Sequence, residues 1–310
     1  MRRRLLRFAA YSFECFSFLV FCGWLVGQIT RDRSWVCGLL FYIPTPVVTL
    51  MLIALVPIIR TRRRYLCAAA VLLPIFVLVF EENRFWSSRR DTANSCRLVH
   101  WNLCHPVHRW PEQKRHLLSL KPDIVVLSEI TDAVLDSDFA GYQVLRQGTL
   151  LLACRGTAKR LDPPNARIVP GGVILGFIAR CEFDSPSLES SETVSMDVLV
   201  ADHTSNLTIP RDPWLRQLML VAESNDVDVI VGDMNAPRRS LAFTKMPTDF
   251  QHAYDAAGSG WSYTWPVPVP VLAIDQCIIG KRIVCTSYSL DSTTLSDHRL
   301  QLIDFQKTAD

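Results

Sequence analysis

From residue 95 onward the chain has no surplus of positive charge: 20 Lys/Arg stand against 25 Asp/Glu, a net of −5. A protein that grips long nucleic acid along its backbone needs a basic surface. This counts against a DNA-coating role for this part of the chain, although a nuclease with a locally basic site stays open. The ten cysteines show no zinc-site spacing. No small-x-small site closes the first apolar run, which argues against a cleaved signal peptide. The bulky Phe21 before Cys22 argues against lipidation there. No internal repeat or low-complexity stretch breaks the chain, so 310 residues read as one large domain plus extras.

The sequence does have an apolar and basic N-terminal third. Residues 1–94 hold 13 Lys/Arg against 5 Asp/Glu, or +8, and so determine the sign of the net charge of +3. Phe8 to Gln28 is a 21-residue run with one charge, Glu14; Trp35 to Ile59 is 25 residues with none; Tyr65 to Phe80 is 16 residues with none. A bilayer core takes roughly 20 apolar residues per helix, so the expectation is three transmembrane helices within residues 1–82. A polar linker over 83–95 and a separate folded domain over 96–310 would follow. Arg2, Arg3, Arg4 and Arg7 precede the first run, and Arg60, Arg62, Arg63 and Arg64 separate the second from the third; only Arg31 and Arg33, beside Asp32, separate the first from the second. By the positive-inside bias the N-terminus and the second loop lie in the cytoplasm. Everything after Phe80 is then extracytoplasmic, although Arg84, Arg89 and Arg90 pull the other way.

Residues 96–310 alternate strand and helix patterns. Strands are expected at about Arg97–Asn102, Ile124–Leu127, Val173–Ala179, Val194–Ala201, Val227–Val231 and Leu300–Phe305, with a hairpin over 142–154. Helices are expected at Pro111–Leu120 and Asp212–Ser224, and residues 157–170 read as a loop. Leu272–Ile279 and Ile283–Tyr288 read as a hairpin turning at Gly280-Lys281-Arg282. That turn would set Cys277 opposite Cys285, where an oxidising compartment would allow a disulfide. Many strands and few helices fit two packed sheets with helices outside.

Several apolar runs end on groups suited to phosphate chemistry. Val227–Val231 leads into Gly232-Asp233-Met234-Asn235. Two apart in extended backbone, Asp233 and Asn235 would share a face, one holding or deprotonating a water and the other orienting it; a strand-end Asx turn is the alternative. Glu129 closes Ile124–Leu127, and a lone carboxylate with substrate oxygens is a usual Mg²⁺ arrangement. Asp297 and His298 are adjacent and would point to opposite faces. A carboxylate to orient His298 must then come from elsewhere, and Asp275, a charge inside an apolar run, is the candidate. His203 and Asn102 end two further strands, as a phosphate contact or acid and as a support for Glu129. His100, His105, His108, His116 and His252 lack such context and read as solvated or structural.

The ordered set Trp101-Asn102, Pro122-Asp123-Ile124-Val125-Val126-Leu127-Ser128-Glu129, His203, Gly232-Asp233-Met234-Asn235, Ile274-Asp275 and Ser296-Asp297-His298, with Tyr263-Thr264-Trp265 before Asp275, resembles the endonuclease/exonuclease/phosphatase superfamily over residues 96–306. The resemblance implies a four-layer α/β sandwich with its site at one end of the two sheets. It implies Glu129 as main ligand of Mg²⁺ or Mn²⁺, supported by Asn102, with Asp297 near the metal. Asp233 would activate water that Asn235 positions, and His298, oriented by Asp275, would contact phosphate. His203 would be a second phosphate contact and Asn206 a helper; Arg238 and Arg239 could grip a substrate phosphate. Cys104 stands where some nuclease branches carry a second acidic residue, Ala273 where an Arg often precedes the Ile-Asp pair, and Ser128 where Gln is common. The expected protein is a membrane-anchored, divalent-metal phosphoester hydrolase acting on nucleic acid or a lipid headgroup. A non-catalytic phosphate-binding module that keeps the fold is the alternative.

Overall fold

The computed structural model describes residues 1–59, 63–86, 95–162, 168, 173–184 and 193–308. The N-terminal third is helical. Helix α1 (Arg2–Thr30) is followed by the short α2 (Trp35–Phe41), by α3 (Thr45–Leu55), and by α4 (Arg63–Phe76), which widens into a π-helical turn over Val77–Glu82. Two stretches, Arg4–Thr30 and Arg63–Glu82, are long and apolar enough to cross a membrane. The second apolar run is not one straight helix: α2 and α3 meet at a 55° bend. Pro44 and Pro46 explain the break. Proline supplies no N–H, and it forces the residue before it out of helical conformation; Pro44 is itself extended, at φ −68° and ψ 126°.

The packing fixes the direction of each helix. Glu14 of α1 lies near Cys67 of α4, and the distal ends of both helices meet the same residue, Arg239, through Gln28 and through Glu81 and Glu82. Helices α1 and α4 therefore run parallel. Helix α3 runs the other way: its start, Thr45, bonds Trp24 and Glu82, and Leu52 near its end accepts from Cys67 Sγ at 3.7 Å. A Cβ on Gly27 would lie 2.4 Å from the Leu40 carbonyl oxygen, so only glycine lets α2 press against α1.

The remainder is a four-layer α/β sandwich. One six-stranded sheet has the order β11-β12-β1-β2-β4-β3 and the other the order β5-β6-β7-β8-β10-β9. The strands are β1 (Cys96–Asn102), β2 (Ile124–Ser128), β3 (Gln143–Gln147), β4 (Leu150–Cys154), β5 (Thr157–Arg160), β6 (Ile174–Asp184), β7 (Thr193–His203), β8 (Val229–Asp233), β9 (Phe250–His252), β10 (Asp275–Gly280), β11 (Ile283–Asp291) and β12 (Leu300–Lys307). Helix α5 (Trp110–Ser119) lies in the outer apolar layer against the first sheet, and α6 (Asp212–Ser224) in that against the second.

Strand alternation sorts the residues into three apolar layers. Leu98, Ile124, Val126, Val198, Val200, Val229, Val231, Cys277 and Ile303 face the space between the sheets. Val99, Trp101, Val125 and Leu127 face the α5 side, and Leu199, Ala201 and Ile230 face the α6 side. At the β8 terminus, Gly232 has φ +151°, and a Cβ there would sit 1.7 Å from the Ala201 carbonyl oxygen. No other residue fits, and the close approach brings the end of β8 against β7.

Three expectations change. Thr157–Arg160, read as loop, is the edge strand β5. The hairpin at Gly280–Arg282 does not form: β10 pairs with β8 and β9 in one sheet, while β11 pairs with β12 in the other. The chain changes sheets there because every residue of β10 is buried between two neighbours. Cys277 and Cys285 face each other only through the core, and all ten cysteines are free thiols. Of the linker, residues 87–94 lie outside the described residues. Asn83 and Arg84 are bonded into the sandwich, through Ser262 and through the Tyr254 hydroxyl and Gly260.

Candidate active site

The same alternation that builds the inter-sheet core carries polar groups to its end. Continuing inward from Leu98, β1 presents His100 and Asn102; from Val200, β7 presents Asp202; from Val231, β8 presents Asp233; from Cys277, β10 presents Asp275. Asp233 and Asp275 are directly opposite in the antiparallel β8–β10 register. Asn102 is the register partner of Ser128, the residue before Glu129, in the parallel β1–β2 pair. Glu129 by alternation would face outward, but its φ of +54° turns the chain at the strand end.

His298 Nδ1 meets Asp275 Oδ2 at 2.8 Å, with both side chains buried. Thr264 Oγ1 accepts from the Asp275 backbone N–H, and Gln301 Nε2 donates to the Asp275 carbonyl, so the acid is fixed from both ends. Ser296 Oγ accepts from the His298 N–H and donates to the Asn102 carbonyl, tying this loop to β1. Asp233, Asp275 and His298 offer ligand atoms within 4.8 Å of one another, close enough to hold an ion; the Asp275–His298 hydrogen bond already accounts for one of those short separations.

Asp233 accepts from Asn102 Nδ2 at 3.0 Å on one oxygen and from the Asn235 N–H at 2.8 Å on the other. The second bond is an Asx turn, and Asn235 has φ +44°. The backbone from 233 to 235 is thus not extended, which corrects the shared-face expectation; the turn and the clustering occur together. Asn235 Nδ2 donates to the His203 carbonyl, and its own carbonyl accepts from Arg211 Nε and from the Tyr42 hydroxyl.

The charges are poorly balanced. Burial, then the charge of Asp275, holds the Asp233 carboxyl well above the usual carboxylate range. Burial and the charges of Glu129 and Asp275 raise Asp202 to about 7. Burial alone would lower His298, but Asp275, Asp233 and Asp297 outweigh it and lift the imidazole to about 10. The Cys104 thiol, between Asp297 and Glu129, is pushed up to about 11 by burial and then by those two acids. One imidazolium stands among five acids, Asp202, Asp233, Asp275, Asp297 and Glu129. A divalent cation supplies the positive charge such a group lacks, and hard oxygen donors are what Mg²⁺ and Mn²⁺ take. The residues present fit such an ion.

Other anticipated residues are placed differently. His203 sits on the opposite face of β7 from Asp202; its ring is buried, its Nδ1 is 3.0 Å from the Thr204 carbonyl, and burial lowers it to about 4. Asn206 Oδ1 caps the Thr208 N–H and hydroxyl in a turn. Arg238 pairs with Asp255 and donates to the Glu82 carbonyl, and Arg239 bonds Gln28 Oε1 at 2.6 Å. Both arginines face the helical region rather than the carboxylate cluster. Asp297 accepts from Trp265 Nε1 at 3.0 Å. Sequence reasoning passed over Asp202, Tyr42 and His105, whose Nδ1 lies 3.0 Å from Glu129 Oε2. His100, read from sequence as solvated or structural, is buried between Gln301 and Ser128.

No protein-family profile and no curated protein matches the chain. Solved structures do. An endonuclease/exonuclease/phosphatase from Bacteroides vulgatus superposes with a TM-score of 0.52 at 16% identity, covering 69% of this chain and 99% of its own. An endonuclease/exonuclease/phosphatase family protein from Bacteroides thetaiotaomicron gives 0.52 at 12% identity, covering 68% and 97%. A D. rerio TDP2 humanized by 14 mutations gives 0.50 at 15% identity, covering 69% and 100%. The sandwich is therefore the endonuclease/exonuclease/phosphatase fold, here carrying apolar helices at its N-terminal side.

Proposed function

We propose that the protein is a membrane-anchored, divalent-metal phosphoester hydrolase. The observation that supports this best is the inward-facing set Asn102, Asp202, Asp233 and Asp275 at one end of the inter-sheet space, with His298 held on Asp275 and Glu129 at the adjoining strand end. In this reading Asp233, its basicity raised by burial, takes a proton from water, and Asn235 orients that water. The cationic His298 donates to a phosphoryl oxygen as negative charge grows there. Glu129, Asn102 and Asp297 would hold Mg²⁺ or Mn²⁺, which when bound neutralises charge on the phosphoryl group. The neighbours' names carry nuclease and phosphatase labels. The acidic sandwich and the nearby apolar helices favour a lipid-headgroup phosphoester over long nucleic acid.

The test is a screen of the full chain in detergent or nanodiscs against DNA, RNA, sphingomyelin vesicles, inositol phosphates and bis-p-nitrophenyl phosphate. EDTA should lower the active rate by about a hundredfold or more, and Mg²⁺ or Mn²⁺ should restore it. Glu129→Gln should raise the metal concentration needed, as measured directly by calorimetry. Hydrolysis indifferent to EDTA would remove the metal, and no hydrolysis of any probe would remove the enzyme.

The parallel α1 and α4, with α3 reversed between them, support three crossings, with the sandwich on the side opposite the N-terminal arginines. The sandwich is then extracytoplasmic. Protease added to intact cells should cut it; protection until the membrane is permeabilised would reverse the assignment.

A further inference from the structure

The helical region does more than sit beside the sandwich. Tyr42 occupies the break between α2 and α3, and its hydroxyl donates to the Asn235 carbonyl at 2.5 Å. The Arg211 guanidinium stacks 5.6 Å over the Tyr42 ring and donates from Nε to the same carbonyl at 3.1 Å. Asn235 is in left-handed backbone conformation, which asparagine adopts more readily than other residues with a side chain. Four bonds hold it here: its N–H to Asp233, its Nδ2 to the His203 carbonyl, and its carbonyl from Tyr42 and Arg211. One of the four comes from 193 positions away, out of the membrane-type segment.

Further contacts hold Tyr42 in that place. Gly27 lets α2 lie against α1 without a gap. Asp32 Oδ1 accepts from the Leu241 N–H, just beyond the catalytic loop. Glu82 accepts from Thr45 on one oxygen and from Tyr263 on the other, joining α3, α4 and the sandwich. The break in the second apolar run is therefore seated on the sandwich from both sides.

We infer that Tyr42 is a positioning residue for Asn235, so that the helical region completes the active-site loop instead of only tethering it; this rests on the hydrolase reading above. Tyr42 touches no reacting group. It acts by fixing where the Asn235 amide points, and a displacement of about 1 Å in such a group costs up to roughly a hundredfold in rate. Tyr42→Phe keeps the ring over Arg211, and the Asn235 carbonyl keeps its Arg211 donor, so no buried group is left bare.

The experiment compares the full chain in nanodiscs with Tyr42→Phe, Asn235→Ser and the double variant, using bis-p-nitrophenyl phosphate. Tyr42→Phe is expected to lower kcat by about ten- to a hundredfold with KM and Tm unchanged. It should lower it no further in the Asn235→Ser background, where the amide is gone. A Tyr42→Phe rate equal to wild type, or an equal loss in both backgrounds, overturns the inference. Should the wild type hydrolyse nothing, the hydrolase reading falls. Hydrogen exchange of residues 234–240 then decides the positioning claim: faster exchange in Tyr42→Phe supports it, and exchange equal to wild type overturns it.

Discussion

Asp233→Ala in the full chain is expected to lower kcat by on the order of 10²- to 10⁴-fold, the range a positioned general base contributes, with Tm displaced far less than that loss would suggest. The carboxylate is the hub of the site. One oxygen holds Asn102 and the other holds the Asn235 N–H, and burial with Asp275 nearby raises its basicity above that of an ordinary carboxylate. Removing it deletes the base and loosens the Asx turn that shapes the loop. Asp233→Asn separates the two effects. Its amide keeps an acceptor for the Asn235 N–H but sets an NH₂ against the Asn102 NH₂, so it should lose the same rate while retaining more of the loop. Steady-state kinetics beside thermal unfolding reads both. Either variant keeping more than about a tenth of the wild-type rate would exclude Asp233 as the base.

The strands and helices of the sandwich were legible because buried strands write themselves as apolar runs. Asp212–Ser224 has its predicted bounds, and Gln143–Cys154 is the expected hairpin. What local pattern could not give was pairing. Leu272–Ile279 and Ile283–Tyr288 look like a hairpin because three residues of turn chemistry separate two apolar runs. Yet a strand apolar on both faces needs cover on both, and β10 finds it in the second sheet. The expected span over 35–59 is bent at its middle, since hydropathy is blind to chain direction, which Pro44 and Pro46 change.

The site was legible where an acid ended an apolar strand and obscure where parity decided. Val198, Val200 and Asp202 share one face of β7, and Leu199, Ala201 and His203 the other. Counting by twos from the valines selects Asp202 as the residue facing the cluster; choosing the more reactive-looking His203 crossed to the wrong side of the sheet. Glu129 shows the limit of the same rule, because its left-handed backbone turns it away from the face that parity assigns. Arg238 and Arg239 looked like phosphate grips in a list of residues, but charge alone does not say what a guanidinium meets. Here it meets Asp255, Gln28 and the end of α4. Tyr42 carried no signal, since nothing in a membrane-type run announces a bond to a loop nearly two hundred residues later.

Asp275→Asn should produce the second large effect, on the order of 10³- to 10⁴-fold in kcat, as when a buried acid that orients a catalytic imidazole is replaced by its amide. The amide can still contact His298 Nδ1 but no longer favours the imidazolium, so His298 loses its charge preference and the strong bond that fixes its ring. A stability signature distinguishes this from a folding defect. In the metal-free wild type, His298 is raised to about 10, above an unfolded value of about 6.5. A raised basic group contributes stability that is complete below the unfolded value and is lost as pH climbs toward the folded one. Asp233, also raised, acts with the same sign. Asp275 itself is lowered: burial opposes its ionisation, and His298 more than compensates. Its contribution is therefore present above its unfolded value and vanishes in acid. Denaturant unfolding of the apo wild type should thus weaken steadily from about pH 6.5 to 10. Asp275→Asn, with the largest of the three acidic influences on His298 removed and Asp233 and Asp297 remaining, should be less stable at pH 7 and fall less steeply across that window. A variant that keeps the wild-type slope would show that His298 owes its proton to other acids, and the Asp275–His298 pair would lose its place in the mechanism.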